Sequence, residues 1–329
     1  MFKNLLKERN IELIMKDDLD GSFFSNSEII INKGFLENIL KEKGIKRYFL
    51  AEEASVIEAQ KIEGEVKEKK IIGFGGGKAI DIAKKVSFDL NLPLISIPTA
   101  PSHDGLVSKN CSLYQSEERK SIPTKYPDKL VIPLNLWRKC GDLRKAGLCD
   151  IFSNIIALED ISLAEAKGEK FKDLYKDLSW QAVEKAENYK DERELVEALI
   201  LSGIAMEETS RYSSGSEHEV ERILEKKLRG KFLHGQLVGA GSLISAKVYS
   251  FYFDQFPKLE FNPKTIFQKI KDLFQKKDLF DFARLPLKET KPDDLKEVSR
   301  ERPERYNLWN FINSNDVNWL KIVEEILYD

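Results

Sequence analysis

Histidine and cysteine are scarce in this sequence, with three residues of each type among 329. The cysteines are odd in number and show no CxxC spacing, which argues against a disulfide framework and favours a reducing compartment. The longest apolar stretch, residues 198–206, is too short to cross a bilayer, and no N-terminal stretch has the pattern of a signal peptide. The sequence therefore predicts a cytoplasmic protein without membrane insertion.

The sequence also lacks a strong charge of either sign. It has 53 basic and 55 acidic residues, a formal net charge of −2 and a pI of about 6.1. Such a balance gives no basic field that would gather nucleic acid, so we expect small-molecule partners and no nucleic-acid partner. The sequence leaves open whether the chain forms a homo-oligomer. The length suggests about two domains.

Short β-branched and aromatic runs alternate with helical stretches in the first 139 residues. Strands are predicted at residues 28–32, 48–51, 70–73, 94–98 and 129–132. Helices are predicted between them at residues 35–43, 56–67 and 79–86. Alternation of this kind predicts an α/β domain, residues 1–139, with a mostly parallel sheet and helices on its faces.

From residue 140 onward the apolar periodicity is helical. It predicts helices at residues 148–166, 173–189, 191–208, 217–228 and 235–251. Asn262 is expected to cap a further helix that starts at Pro263, and Val317, Leu320 and Val323 are expected to form an apolar stripe on the last helix. Residues 140–329 are therefore predicted to form an all-α domain.

A glycine-rich turn stands between the strand that ends near Ile72 and the helix predicted from Ala79. Four glycines lie at positions 73, 75, 76 and 77, where free N–H groups and the positive end of a helix would face an anion. Ile72 excludes a Walker A loop, and Lys78 excludes the common dinucleotide fingerprint. Phosphate binding is favoured, with a plain tight turn as the alternative.

Two charged residues follow these glycines. Lys78 adds a positive charge to the turn, and Asp81 is expected in the first helical turn, where a carboxylate interacts favourably with the helix dipole.

The three histidines each lie in a motif that contains glycine or serine. His103 falls in Pro-Thr-Ala-Pro-Ser-His-Asp-Gly, His218 in Ser-Ser-Gly-Ser-Glu-His and His234 in Phe-Leu-His-Gly. Imidazoles and carboxylates are ligands for Zn²⁺ or Fe²⁺, but the long spacing leaves structural roles open.

Five segments, in chain order, closely resemble the sn-glycerol-1-phosphate dehydrogenases of archaea. They are residues 75–84, 98–105, 210–218, 233–235 and 302–306. That family belongs to a larger group of metal-dependent polyol dehydrogenases and dehydroquinate synthases. The resemblance implies that the α/β domain binds a nucleotide cofactor and that the helical domain binds metal and substrate.

The resemblance implies a ligand set for one divalent ion, Zn²⁺ or another metal. Asp150, in the segment Gly147-Leu-Cys-Asp-Ile-Phe-Ser-Asn154, matches the family aspartate that shares the ion with two histidines, here His218 and His234. By the same carry-over, Asp104 and Asp150 would touch substrate and serve the reaction.

The resemblance also implies a site for a nicotinamide cofactor, NADP(H) or NAD(H). The positions that match the family's cofactor contacts are Gly77, Lys78, Ala79, Ile80, Asp81, Thr99, Ala100, Pro101, Ser102 and Ser108. Glu52 and Glu53 follow the second predicted strand, where a carboxylate could bind an adenosine ribose and repel a 2′-phosphate. Both glutamates are equally compatible with a solvated surface.

Some positions depart from the family pattern. Gln236 and Leu237 stand where the family usually has Glu-Gln, and Arg222 stands where it usually has a second histidine against substrate. Helical spacing puts Arg222 on the face of His218, so its guanidinium could bind a substrate phosphate. The alternative is a salt bridge to a glutamate of the same helix.

The reaction that the resemblance implies is the reversible reduction of dihydroxyacetone phosphate to sn-glycerol 1-phosphate, with the metal as Lewis acid. It would serve archaeal phospholipid biosynthesis. The alternatives are a related metal-dependent polyol dehydrogenase, such as a glycerol dehydrogenase, and a cyclase of the dehydroquinate synthase type. A catalytically dead binding module would have no need for three intact ligands.

Overall fold

The computed structural model describes residues 2–116, 118–259 and 261–328, with the side chain of Arg300 left out. The chain divides into two compact units. The first unit comprises the residues up to Arg144 together with Asp191–Gly203, and the second comprises Lys145–Lys190 and the residues from Ile204 onward.

The helices and strands are numbered in chain order. The strands are β1 (Glu12–Lys16), β2 (Glu28–Ile31), β3 (Phe49–Leu50), β4 (Ile71–Gly75), β5 (Leu94–Pro98), β6 (Asn110–Gln115), β7 (Glu118–Pro123) and β8 (Lys129–Pro133). The helices are α1 (Phe2–Glu8), α2 (Phe35–Glu42), α3 (Val56–Glu63), α4 (Gly77–Asp89), α5 (Leu134–Trp137), α6 (Gly141–Glu165), α7 (Asp173–Asn188), α8 (Glu192–Ala205), α9 (Ser216–Leu228), α10 (His234–Phe251), α11 (Pro263–Lys276), α12 (Phe280–Arg284), α13 (Leu308–Phe311) and α14 (Trp319–Tyr328). Short 3₁₀ helices lie at Gly21–Phe24, Asp104–Leu106, Ser210–Tyr212, Phe253–Gln255, Leu285–Lys288, Pro292–Arg300 and Ser314–Asp316.

The first unit is built on a six-stranded parallel sheet, which confirms the predicted fold class. Its strand order is β1-β8-β5-β4-β2-β3. Both faces are covered by apolar side chains, because neighbouring residues of a strand point to opposite faces. Ile30 packs in one core cluster and Ile29 and Ile31 pack in another.

The sequence analysis missed several elements of the first unit, among them the strands β1, β6 and β7. The edge strand β1 reads Glu-Leu-Ile-Met-Lys and is only partly buried, so it shows neither strict alternation nor a fully apolar run. Strands β6 and β7 form an antiparallel pair outside the main sheet, and β7 is rich in charged and polar residues.

The bounds of the two units differ slightly from those of the two domains predicted from the sequence. The division falls between Arg144 and Lys145, and Asp191–Gly203 joins the first unit. Arg144 Nη2 donates to Glu192 Oε1 over 2.9 Å, and Ser202 Oγ donates to Asp104 Oδ2 over 2.7 Å. These interactions, at the two ends of α8, were not visible from the helical periodicity of that segment.

In the described residues the second unit contains helices and no strand, as predicted. Asn262 Oδ1 accepts a hydrogen bond from Lys264 N at the start of α11, which confirms the predicted cap. The predicted stripe on the last helix is wrong in part. Leu320 is 58% exposed and Val317 precedes α14, which buries Val323 as predicted together with Trp319, Ile322 and Ile326.

No described helix combines the length and the apolar character needed to span a membrane. Cys111, Cys140 and Cys149 are all free thiols, and burial raises the pKa of each one. They carry no disulfide in the described structure.

Candidate active site

Three side chains from three helices of the second unit converge on one point. Asp150 lies on α6, His218 in the first turn of α9, and His234 is the first residue of α10. The Nε2 atoms of His218 and His234 lie 3.6 and 3.5 Å from Asp150 Oδ1. One ligand atom of each of the three residues lies within 4.8 Å of the others, and among the described residues this is the group that could hold a metal ion.

Glycines of α10 permit this convergence by bringing helix main chains into close contact. A Cβ at Gly235 would lie 2.8 Å from the Cα of Ala146, one turn before Asp150 on α6. A Cβ at Gly241 would lie 3.0 Å from the carbonyl carbon of Glu217 on α9. The first distance is shorter than real Cβ atoms show, and the second is shorter than nearly all of their contacts. The glycines therefore let α10 lie against both helices that carry its partner ligands.

A second layer of carboxylates backs the two histidines, and the sequence analysis did not find it. Glu217 Oε1 lies 2.7 Å from His218 Nδ1, and Glu221 Oε1 lies 2.9 Å from His234 Nδ1. Both glutamates are almost fully buried. Glu217 immediately precedes His218 and Glu221 follows it by three residues, yet α9 also carries Glu219 and Glu225, so their type and spacing alone did not single them out.

The electrostatics of this group follow from its carboxylates. Burial lowers the pKa of His234, but the charge of Glu221 and the contact with Asp150 outweigh it and raise that pKa to about 10. The pKa of His218 is also raised, because Asp150 and Glu217 outweigh its burial. Burial raises the pKa of Asp150, but the two histidines hold it below its usual value. Without a metal, the buried carboxylates therefore favour the protonated form of both imidazoles.

The donor set fits a divalent metal ion. Two ligands bound to one tetrahedral ion at about 2.1 Å lie roughly 3.4 Å apart, close to the two distances from Asp150 Oδ1 to the imidazole Nε2 atoms. With neutral imidazoles the site would hold three buried carboxylates, an arrangement that is costly without a cation. Three protein ligands leave a further position for a small molecule, as in catalytic metal sites.

A basic cluster lies near this group in the second unit. The pKa of Arg302 is lowered to about 9 by burial and by the charges of Arg305 and Arg222, so the three guanidinium groups are neighbours. Arg302 Nη1 donates to Ser214 Oγ over 3.1 Å, and Arg305 Nη2 donates to Ser210 Oγ over 3.0 Å. The charge of Glu221 also acts on Arg302.

The two family departures in α10 have structural roles. Gln236 Nε2 donates to Phe282 O over 2.9 Å, and Leu237 is buried in the helical core.

The glycine-rich turn lies at the carboxyl edge of the sheet in the first unit. Strands β4 and β5 are parallel neighbours in which Gly75 pairs with Pro98, and Thr99 N donates to Gly75 O over 3.0 Å. Helix α4 starts at Gly77 and no side chain caps it. The free N–H groups of its first turn are therefore available to an anion.

Two side chains brace this turn. Asn32 Oδ1 accepts a hydrogen bond from Gly76 N over 2.7 Å, and the same oxygen occupies the place that a Cβ of Gly75 would take. A Cβ at Gly77 would come within 2.6 Å of His103 Nε2. Close packing, in addition to any ligand, explains why glycine stands at positions 75 and 77. Asn32, the residue after β2, was not identified from the sequence.

Of the two charged residues after the glycines, Asp81 is placed differently from the prediction. Lys78 Nζ donates to the main-chain oxygen of Glu52 over 2.7 Å. Helix α4 begins at Gly77, so Asp81 lies beyond its first turn, and the predicted interaction with the helix N-terminus is wrong. Asp81 is buried and lies 3.7 Å from Lys84 Nζ.

The other predicted cofactor positions lie after β5. Residues 99–102 directly follow that strand, and Ser108 Oγ accepts a hydrogen bond from Asn110 N over 3.1 Å. Asp104 is buried and accepts the hydrogen bond from Ser202. Glu52 and Glu53, which were considered as partners of the adenosine ribose, are both exposed.

Comparison with known proteins adds sequence relatives. The family model for iron-containing alcohol dehydrogenases matches residues 29–140. The chain is 35% identical over 229 residues to the glycerol-1-phosphate dehydrogenase [NAD(P)+] of Nitrosopumilus maritimus, which covers 65% of this chain and 64% of that enzyme. It is 34% identical over 230 residues to the enzyme of that name from Pyrococcus furiosus, covering 65% and 66% of the two chains. These relatives confirm the resemblance, although the match spans slightly less than two thirds of each enzyme's length.

Solved structures share the fold over nearly the whole chain. A glycerol dehydrogenase from Schizosaccharomyces pombe superposes with a TM-score of 0.67 at 17% identity, covering 96% of this chain and 88% of the other. A probable glycerol dehydrogenase from Sinorhizobium meliloti superposes with a TM-score of 0.68 at 17% identity, covering 97% and 96%. At this identity the likeness establishes the fold alone.

Proposed function

We propose that this protein is a metal-dependent, NAD(P)-linked glycerol-1-phosphate dehydrogenase that acts in the cytoplasm. It would reduce dihydroxyacetone phosphate reversibly to sn-glycerol 1-phosphate, for archaeal phospholipid synthesis. The named relatives support this activity, and they do not favour a polyol dehydrogenase or a cyclase. The first unit would bind the nucleotide, and the second unit would bind metal and substrate.

The observation that carries the proposal is the convergence of Asp150, His218 and His234. Three helices, spread over more than eighty residues of sequence, are packed so that one carboxylate oxygen and two imidazole nitrogens meet. These residues would hold Zn²⁺ or another divalent ion, which, when bound, polarises the substrate carbonyl and stabilises the negative charge that develops on its oxygen.

The protein's own side chains would bind and orient the substrate. Asp150 keeps its charge, because the histidines hold its pKa low, and so would stay a ligand at neutral pH. Asp104, fixed by the hydroxyl of Ser202, would accept a hydrogen bond from a hydroxyl group of the substrate. Arg222, with Arg302 and Arg305 beside it, would supply positive charge for the substrate phosphate.

The glycine-rich turn would hold the cofactor diphosphate at the N-terminus of α4. Contacts would come from Gly77 to Asp81, from Thr99 to Ser102 and from Ser108. The side chain of Lys78 would contribute a positive charge near the turn while its ammonium stays bonded to Glu52 O. Choice between NADP(H) and NAD(H) would depend in part on Glu52 and Glu53.

The direct test mixes the purified protein with dihydroxyacetone phosphate and either NADPH or NADH and follows the absorbance of the reduced nicotinamide. We expect oxidation of the cofactor that requires the phosphorylated ketone and stops after chelation. A chiral assay of the product should find sn-glycerol 1-phosphate. Faster turnover of unphosphorylated ketones than of dihydroxyacetone phosphate would contradict the proposed substrate.

A further inference from the structure

We propose that Glu217 and Glu221 are positioning residues that keep the proton of each metal-binding imidazole on Nδ1. The Nε2 atoms of His218 and His234 are thereby presented to the ion. This inference rests on one part of the proposed function, namely that a metal ion binds at Asp150, His218 and His234. It assigns a role to two residues to which neither the sequence motifs nor the family resemblance gave one.

The geometry at His218 fixes its tautomer. Its Nδ1 lies 2.7 Å from Glu217 Oε1, and that oxygen also accepts a hydrogen bond from Gly215 N over 2.8 Å. An ionised carboxylate only accepts hydrogen bonds, so Nδ1 must carry the proton. The other ring nitrogen, Nε2, lies on the side of Asp150, and its lone pair is the one available to a bound metal ion.

His234 repeats this arrangement with a glutamate from another helix. Its Nδ1 lies 2.9 Å from Glu221 Oε1, and its Nε2 lies 3.5 Å from the same oxygen of Asp150. His234 starts α10, whereas Glu221 lies one turn beyond His218 on α9. Helix α9 therefore supplies one ligand and the supporting carboxylates of both histidines.

A carboxylate behind a metal-bound imidazole fixes the ring orientation and makes the ligand nitrogen more basic. Losing such a partner typically lowers metal affinity by about 10- to 100-fold. The effect is expected to be large here because both carboxylates are buried, where hydrogen bonds to charged groups are less screened. A purely structural role would be felt in folding stability and would leave metal affinity unchanged.

Helix α9 offers a control residue of the same type. Glu219 lies between the two glutamates in sequence and is 2% exposed, compared with 0% for Glu217 and 3% for Glu221. The hydrogen bond described for its Oε1 comes from Asn307 Nδ2, over 2.6 Å. Glu219→Gln therefore controls for replacing a buried carboxyl group of this helix by an amide.

The experiment measures Zn²⁺ affinity by competition with a chromogenic chelator on full-length protein after metal removal. We expect Glu217→Gln and Glu221→Gln each to weaken Zn²⁺ binding about 10-fold or more, while Glu219→Gln stays within about twofold of wild type. Circular dichroism and thermal melting would verify that all variants are folded. Equal affinities in the three variants would overturn the inference.

The tautomers can be observed directly, because the chain has only three histidines. With ¹⁵N-histidine-labelled, Zn²⁺-loaded protein, long-range ¹H–¹⁵N correlation spectra should show zinc on Nε2 and hydrogen on Nδ1 for two rings. His103, whose Nδ1 accepts a hydrogen bond from Gly105 N, provides the third, metal-free pattern. Glu217→Gln should shift the Nδ1 signal of one metal-bound ring and Glu221→Gln that of the other.

Zinc on Nδ1 of either ring, or variants that shift neither ring, would overturn the positioning role. The proposed function can fail separately. A wild type that binds Zn²⁺ with these tautomers but does not reduce dihydroxyacetone phosphate would contradict the reaction and support the inference. A wild type that binds neither Zn²⁺ nor another divalent ion would overturn both.

Discussion

The two candidate binding regions of this protein are built in opposite ways. In the first unit the glycine-rich turn is contiguous in sequence and offers mainly main-chain N–H groups at the end of a strand. In the second unit the candidate metal group consists of side chains from positions 150, 218 and 234, brought together by helix packing. A main-chain site depends on local backbone shape, whereas a side-chain site depends on the whole helical core.

This difference predicts different responses to substitution. A change at Gly76, the loosely packed position of the glycine turn, should affect one ligand and leave the rest of the protein intact. A change among the three ligands removes a charge or a lone pair that the others depend on, because the buried carboxylates then lack a partner. The predictions below test this contrast.

The largest effect is expected for His234→Ala. One of three ligands is lost, so we expect metal content to fall to a small fraction of wild type and the reduction of dihydroxyacetone phosphate to fall by about 1,000-fold or more. Elemental analysis of the purified protein and steady-state kinetics check both parts.

The third histidine supplies the control for this experiment. His103 belongs to the first unit and packs against Gly77, so His103→Ala should keep the metal content of wild type. Full metal content in His234→Ala, or loss of metal in His103→Ala, would contradict the assignment of the ligands.

The contrast also explains what could be predicted from the sequence. The parallel sheet was predictable because β2, β4 and β5 are apolar runs separated by helices, and β5 was placed at its observed bounds. The glycine turn was predictable because its residues are adjacent. The edge strand β1, with a polar residue at each end and partial burial, carried no such signal.

The candidate metal ligands came from family resemblance, since their spacing alone left structural roles open. The sequence did not reveal the carboxylates that lie behind the two histidine ligands. The roles of Glu217 and Glu221 depend on how α9 faces α10, and that packing depends on the missing side chain of Gly241. The spacing of Gly235, Gly239 and Gly241 was the one available signal of close helix packing.

The second prediction concerns the glycine turn. Gly76→Val should raise the Michaelis constant for the nicotinamide cofactor by about 10- to 100-fold. The branched side chain would stand where the diphosphate approaches and remove one or two charged hydrogen bonds of roughly 1.5–3 kcal/mol. The fold should persist, because φ at Gly76 is −82° and a Cβ there would meet only Asn32 Oδ1, at 3.6 Å.

A neighbouring glycine provides the contrast. At Gly75 a Cβ would collide with the side chain of Asn32 and lie 3.1 Å from the Cβ of Ala79, so Gly75→Val should lower thermal stability. If Gly76→Val left the Michaelis constant unchanged, the turn would serve only to connect β4 to α4.

The third prediction concerns the phosphate of the substrate. Arg222→Ala should weaken binding of dihydroxyacetone phosphate by about 10- to 100-fold. This factor corresponds to the loss of one charged hydrogen bond, which contributes roughly 1.5–3 kcal/mol. Unphosphorylated dihydroxyacetone should be almost unaffected. Saturation curves for the two ketones, measured with wild type and with Arg222→Ala, test this expectation.

Lys226→Ala removes a positive charge one turn further along the same helix, at an exposed position paired with Glu301. This variant should bind both ketones as wild type does. Equal losses for the two ketones in Arg222→Ala would show that this arginine supports the site without binding the phosphate.

The smallest effect is expected in the pH dependence of the metal-free protein. The pKa of His234 is raised to about 10 in the folded chain, against 6.5 for an unperturbed imidazole, because Glu221 and Asp150 outweigh its burial. A raised pKa gives stability that is fully present below pH 6.5 and is lost as pH rises through about 10. The melting temperature of chelated protein should therefore fall over this range.

His234→Ala isolates the contribution of this group from other titrations in the same range. Its metal-free form lacks the proton site, so its melting temperature should fall less between pH 6.5 and 10 than that of metal-free wild type. Scanning calorimetry at matched ionic strength compares the two slopes. Parallel curves for the two proteins would mean that the carboxylates do not hold a proton on His234. The candidate metal group would then not differ from the glycine turn in depending on buried charges.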